Sequence, residues 1–174
     1  MADITPLYSA EQIQTQIQRL AGEIAQAHPG GPLDLVVVLK GGFFFGADLS
    51  RALALRGLDV RLHFVQAQSY QSQTQGPVQL NLNLNLVLAG KRVWVVEDVL
   101  DTGATLRQLL PALQALQPAS LSLVVLVQKH AQPDLHPEAV GFHAPNKWLV
   151  GYGFDQDQAL RCLPFIGFIP PTLL

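Results

Sequence analysis

The chain has one cysteine, one methionine and only 14% charged residues among its 174. A lone thiol, Cys162, can form no disulfide within the chain and has no neighbouring thiol for a metal site, so it reads as structural. Long hydrophobic runs are missing too: stretches such as Leu35 to Leu39 and Leu121 to Val127 fall far short of the ~20 residues that a bilayer-spanning helix needs. No basic region followed by an apolar stretch opens the chain, so a cytoplasmic protein without membrane partners is expected. There is no surplus of positive charge, with 11 Lys and Arg against 13 Asp and Glu, a formal net charge of -2. That balance argues against nucleic-acid binding through a basic face, while small anions remain accessible to backbone dipoles. A G-x-x-x-x-G-K-[ST] run is absent, which excludes a P-loop. His28, His63, His130, His136 and His143 have no ligand-like spacing and read as surface or hairpin residues.

What the chain does have is apolar content, 49% of its residues. At this length that suits one domain, residues 1–174, built on a heavily buried parallel sheet. Ser9 and Gln12 have capping-box spacing, and Ile13, Ile17, Leu20 and Ile24 share a helical face, which predicts a helix from about Ala10 to Ala27. After the His28-Pro29-Gly30-Gly31-Pro32 break, Leu33 to Leu39 is continuously apolar and reads as a strand buried on both faces. A glycine-rich turn over Lys40 to Gly46 precedes a helix at Ala47 to Arg56 and a strand at Val60 to Ala67. Gln68 to Pro77 lacks an apolar anchor and reads as a mobile loop. Val78 to Leu86 alternates apolar and polar residues, which predicts a hairpin arm spanning about 60–88. A strand at Arg92 to Val96, a helix at about Ala104 to Leu116 and a strand at Leu121 to Gln128 follow. Ala139 to Phe142, Trp148 to Gly153 and Phe165 to Ile169 then read as short strands of a small hood over about 139–174. Phe43, Phe44 and Phe45 read as core or interface packing.

The most informative stretch is Val95-Val96-Glu97-Asp98-Val99-Leu100-Asp101-Thr102-Gly103-Ala104-Thr105. It puts carboxylates at the end of a buried strand, then a small-residue turn, then a helix start. Ligands bind at that edge of an open parallel sheet, and free N–H groups at a helix start hold phosphate. A capped helix beside a surface acidic cluster accounts for neither the three acids nor their place after an apolar strand.

This segment resembles the signature of type I phosphoribosyltransferases, in which two acidic residues after an apolar strand lead into D-T-G-x-T. The resemblance implies that Glu97 and Asp98 contact the ribose hydroxyls of phosphoribosyl pyrophosphate (PRPP). It also implies that Asp101, Thr102, Gly103, Ala104 and Thr105 wrap the 5′-phosphate, and that Asp101 moves a proton at the purine N7. Leu39-Lys40-Gly41-Gly42 resembles the pyrophosphate loop of hypoxanthine-guanine phosphoribosyltransferases, where the bond between the residues matching Lys40 and Gly41 can be cis. Read alone, K-G-G after a strand is equally a plain turn.

Two further matches to the same family lie towards the C-terminus. Lys129 and the run Pro145-Asn146-Lys147-Trp148-Leu149-Val150-Gly151-Tyr152-Gly153-Phe154-Asp155 resemble its purine site. There Trp148 would stack on the base, backbone groups of Leu149 and Asp155 would read its edge, and Lys129 would donate to O6. An ammonium donates and cannot accept, so it favours a 6-oxopurine, hypoxanthine or guanine, over adenine. Asp155, with Glu97 and Asp98, would hold Mg²⁺, and Arg161 would contact the leaving pyrophosphate. Ser69-Tyr70 resembles the closing loop, although Gln66-Ala67-Gln68 before it and the Asn-rich arm after it depart from the family pattern.

The resemblance runs from about Leu33 onward and implies an α/β fold of the type I phosphoribosyltransferase kind. That fold has a central, mainly parallel sheet with helices on both faces, a flexible hairpin loop and a small C-terminal hood. It also implies purine salvage by a homodimer or homotetramer. Two rivals remain: a relative preferring xanthine or another base, and a nucleotide-sensing RNA-binding regulator on the same fold. The regulators commonly carry an aromatic where Asp101 stands, and the absence of a basic surplus likewise favours the enzyme.

Overall fold

The computed structural model describes residues 4–68, 79–81 and 86–170. Strand β1 (Thr5–Tyr8) leads into helix α1 (Ala10–Ala27), which opens with the expected capping box. The Gln12 N–H donates to Ser9 Oγ at 3.2 Å, and the Ser9 N–H donates to Gln12 Oε1 at 2.8 Å. Ile13, Ile17, Leu20 and Ile24 are all buried, as their spacing requires.

Strand β2 (Leu33–Leu39) is buried along nearly its whole length. Helix α2 (Phe43–Ala54) starts four residues earlier than its sequence suggests, so the glycine-rich turn shrinks to Lys40–Gly42. The cause is packing: Phe45, Leu49 and Leu53 recur every fourth residue and bury together, which carries the helix back through Gly46. Phe44 is half-buried and Phe43 is exposed.

Strands β3 (Val60–Gln68) and β4 (Gln79–Asn81) pair antiparallel as the base of a hairpin arm. Ser69 and Tyr70, with the rest of the expected closing loop, lie outside the described residues. Strand β5 (Arg92–Leu100) runs four residues beyond the expected Val96. It stays in register with β6 (Ser120–Gln128) as far as Leu100 opposite Gln128, so Glu97 and Asp98, expected at the end of the strand, lie within it. Helix α3 (Ala104–Gln114) lies between the two.

The main sheet has the order β4-β3-β2-β5-β6-β7, with β7 covering Ala139–His143. All neighbours in it are parallel except β3 and β4. Helices α1 and α2 cover one face and α3 the other, each over its own apolar cluster.

The hood differs from the sequence expectation over 139–174. The β7 strand belongs to the main sheet, parallel to β6, because Val140 opposes Val125 and Phe142 opposes Val127 there. The small sheet consists of β8 (Leu149–Val150), β9 (Ile166–Phe168) and the N-terminal β1, in the order β1-β9-β8. The Thr5–Tyr8 segment has no periodic signal of its own, and only its pairing with β9 makes it a strand.

Candidate active site

Chain order explains why the key loops meet. From β2 the chain moves outward to β3, whereas from β5 it moves the opposite way to β6 and β7. The β2–β5 boundary is therefore a topological switch point, and the loops leaving those two strands open a crevice at their carboxyl ends. One loop is Lys40–Gly42 and the other is Asp101–Gly103.

The carboxylates of β5 sit inside this crevice. Glu97 and Asp98 are both buried, and the Val99 N–H donates to Asp98 Oδ1 at 2.9 Å. Burial pushes the Glu97 carboxyl well above its ordinary range, and the adjacent Asp98 pushes it further the same way. Burial also raises Asp98, against the lowering effect of its hydrogen bonds and of the Arg161 guanidinium. Such a pair favours a ligand that brings hydroxyl donors or positive charge.

Beyond them the chain turns through Gly103, whose φ of 76° is the left-handed conformation that glycine adopts without penalty, and α3 begins. The resulting cleft has a volume of about 280 Å³ and is lined by Glu97, Asp98, Asp101 and Thr102 to Thr105. The N-cap residue Gly103 has no side chain to cap α3; the Ala104 N–H makes only a long bond of 3.4 Å to Thr102 Oγ1, and the N–H groups of Thr105 and Leu106 beyond it are left for a ligand. A larger hollow of about 480 Å³ is lined by Gln128, Gln132 and His136 together with apolar residues including Leu135 and Pro137. Asp101 faces Lys129, whose Nζ donates to Asp101 Oδ2 at 2.9 Å. The Lys129 side chain is 11% exposed, so its ammonium is held largely out of solvent at the edge of the cleft.

On the other side of the crevice the Leu39–Lys40 peptide bond is cis, one bond before the Lys40–Gly41 position that the resemblance implies. Lys40 Nζ donates to Gln158 Oε1 at 3.0 Å. Arg161 Nη2 reaches Asp155 Oδ1 at 2.8 Å and Gln158 Oε1 at 3.5 Å, and its Nη1 donates to the Gly153 carbonyl at 2.6 Å. The Gln158 N–H donates back to Asp155 Oδ2 at 2.9 Å. Lys40, Asp155 and Arg161 thus form one group around Gln158.

Trp148 is 45% exposed, and its indole N–H donates to the Asp155 carbonyl at 3.1 Å. An exposed indole face held by its own N–H is suited to stacking. Leu149 is buried in β8 opposite Phe168. Among the described residues no three His, Cys, Asp or Glu side chains converge as a metal cage. Cys162 is exposed rather than packed.

Sequence reasoning missed several participants. Gln158, Gln132 and Arg107 carry no motif and are found only through their bonds. Tyr152 Oη donates to Asp48 Oδ2 at 2.5 Å and ties the hood to α2; its phenol is raised by burial and by Asp48. His63 is no free surface residue, since its Nε2 lies 2.6 Å from Oδ1 of the buried Asp34, which also receives Lys91 Nζ at 3.2 Å.

Comparison with known proteins agrees with this geometry. A family profile described as "Phosphoribosyl transferase domain" matches residues 4–157. The hypoxanthine-guanine phosphoribosyltransferase of Mycobacterium avium is 39% identical over 177 aligned residues, covering 96% of this chain and 86% of that protein. A solved hypoxanthine-guanine phosphoribosyltransferase from Bacillus anthracis superposes with TM-score 0.87 at 37% identity, over 95% of this chain and 98% of that one. Hypoxanthine phosphoribosyltransferase from Trypanosoma cruzi, solved with the product IMP, gives TM-score 0.89 at 35% identity over 99% and 97% of the two chains. No helix among the described residues is long and apolar enough to cross a membrane. On a likeness that extends over nearly its whole length and its fold, the chain belongs to the type I phosphoribosyltransferase family, with the hypoxanthine-guanine phosphoribosyltransferases.

Proposed function

We propose that this chain transfers the 5-phosphoribosyl group of PRPP to hypoxanthine or guanine, giving IMP or GMP and pyrophosphate, as a purine-salvage enzyme. The observation that carries the reading is the contact of Lys129 Nζ with Asp101 Oδ2, 2.9 Å apart, beside an anion-suited helix start. It pairs a donor for a 6-oxo group with a carboxylate able to handle the proton of the same base.

In this reading the α3 start and the Thr102 to Thr105 turn hold the 5′-phosphate, and Glu97 and Asp98 accept from the ribose 2′- and 3′-hydroxyls. Their burial lowers the local dielectric, which strengthens hydrogen bonds that the ligand makes there. Lys40, Gly41 and Arg161 hold the pyrophosphate as the bond from C1′ to its oxygen breaks. Purine N9 forms the new bond to C1′, and Asp101 takes the proton that the base loses, a role ordinarily worth ~100- to 10,000-fold in rate. Trp148 stacks on the base, Leu149 and Asp155 offer backbone groups to its edge, and Lys129 donates to O6.

Mg²⁺ fits the donors present. Asp155 and the buried pair Glu97 and Asp98 are three carboxylates, of which Mg²⁺ would need one or two, its shell being completed with water and phosphate oxygens. When bound, the ion would neutralise charge developing on the leaving pyrophosphate. Ser69 and Tyr70 belong to the proposal as a cover that keeps water from the reacting centre.

The same reading treats residues 1–174 as one catalytic domain in a cytoplasmic homodimer or homotetramer. In its support, exposed Leu62 and Phe64 share one face of β3, and the equally exposed Phe43 begins α2. The test is product formation with PRPP and Mg²⁺ over hypoxanthine, guanine, xanthine and adenine. Turnover of the first two is expected; strong use of adenine with none of hypoxanthine would overturn the assignment.

A further inference from the structure

Two side chains outside the motifs grip the backbone of the phosphate turn from behind. Gln132 Nε2 donates to the Asp101 carbonyl at 2.7 Å, and Arg107 Nη1 donates to the Thr102 carbonyl at 2.6 Å. The two are linked, since Arg107 Nη2 donates to Gln132 Oε1 at 3.0 Å. Asp134 then fixes the guanidinium through a fork, taking Nε at 2.6 Å and Nη2 at 2.8 Å. Leu135 closes the brace: it is buried, and a Cβ added at Gly103 would overlap its side chain.

The peptide unit carries this grip to the other side of the turn. In a trans peptide the carbonyl of one residue and the N–H of the next point in opposite directions. Among the described residues the only cis bond is Leu39–Lys40, so both peptides here are trans. Holding the Asp101 carbonyl therefore turns the Thr102 N–H the other way, and holding the Thr102 carbonyl does the same for the Gly103 N–H. We infer that Arg107 and Gln132 are positioning residues that aim the Thr102 and Gly103 amide donors at the 5′-phosphate. This rests on the reading of residues 101–105 as the phosphate site. An amide released from that orientation pays reorganisation on binding, and a hydrogen bond to a charged group is among the stronger ones.

The experiment measures inhibition constants of IMP and of inosine on the intact protein, alongside KM for PRPP. Gln132→Leu and Arg107→Met should each weaken IMP and raise KM for PRPP about tenfold, while inosine, which lacks the phosphate, changes less than about twofold. Arg107→Lys, which keeps the charge but loses the fork, should recover only part of the affinity. Equal weakening of IMP and inosine, or no change in either, would overturn the inference. Asp134→Asn frees the guanidinium without touching the turn, so it keeps the test open if Arg107→Met fails to fold; it should show the same phosphate-selective loss in smaller measure, and an unchanged ratio counts against the inference. Thr105→Val separates the two levels. If it leaves the ratio of IMP to inosine affinity unchanged, the phosphate-site reading itself fails; if it lowers that ratio while the Arg107 and Gln132 variants do not, only the positioning role fails.

Discussion

Gly41 lies against the Asp98 carboxylate so closely that a Cβ at position 41 would overlap it. The Gly41 carbonyl in turn meets Gly153, at φ 104°, where a Cβ would overlap that oxygen. The Lys40–Gly42 loop, the proposed pyrophosphate loop, is thus wedged between β5 and the hood, with hydrogens where any other residue has carbon. Gly41→Ala should lower kcat/KM for PRPP by at least ~100-fold, because misplacing reacting groups by about 1 Å costs that much. Steady-state kinetics together with a urea melt will check this, and near-normal kinetics in a folded variant would show that the contact does not matter.

Glu97 supplies a pH dependence. Its folded carboxyl titrates above its ordinary value of 4.5, so the folded state holds a proton that the unfolded state has released. Stability from this group is full below pH 4.5 and is lost as pH rises through the raised value. Glu97→Gln should therefore stabilise the unliganded protein at pH 8 relative to pH 5, and should lose less stability than the parent between those two conditions. Urea unfolding at both pH values will decide; parallel curves for the two proteins would remove Glu97 as the cause.

In the proposed reaction Asp101 and Lys129 divide the work on the base. Asp101→Asn should cut kcat by about 100- to 10,000-fold and leave KM for PRPP within a few-fold. Lys129→Met should hit kcat/KM for hypoxanthine far harder than PRPP binding, because the 6-oxo group loses its donor. Full kinetics with hypoxanthine varied at saturating PRPP will separate the two effects.

Gln158 occupies, with a neutral amide oxygen, the place between Lys40 and Arg161 where an anion would sit. Its φ of 67° is unusual for a residue with a side chain. Gln158→Ala should tighten pyrophosphate several-fold, since nothing need be displaced, and Gln158→Glu should weaken it by charge competition. Isothermal titration with pyrophosphate gives the sign directly; a weaker Ala variant would mean that Gln158 helps the anion bind.

Much of the site is legible in the linear order of the residues. The run from Val95 to Thr105 carries strand, acids, turn and helix start in adjacent residues, so local order alone places Asp101 beside the α3 start. Gln158, Gln132 and Arg107 cannot be found this way, because bonds that tie them into the site, Lys40 to Gln158, Arg107 to Gln132 and Gln132 to Asp101, join residues 118, 25 and 31 positions apart. The β1 strand is invisible for a related reason: four residues hold too little pattern to signal a strand that exists only through its partner.

Sequence by itself determined the buried strands, the helical faces and the order of the chemical groups, because apolar period and turn residues act over a few positions. Tertiary structure alone decided that β5 continues past Glu97 and Asp98 to Leu100, that β7 joins the main sheet, and that Gly41 fits between Asp98 and Gly153. Those outcomes depend on which distant surfaces bury each other, and pairing across a sheet leaves no trace in the spacing of either strand.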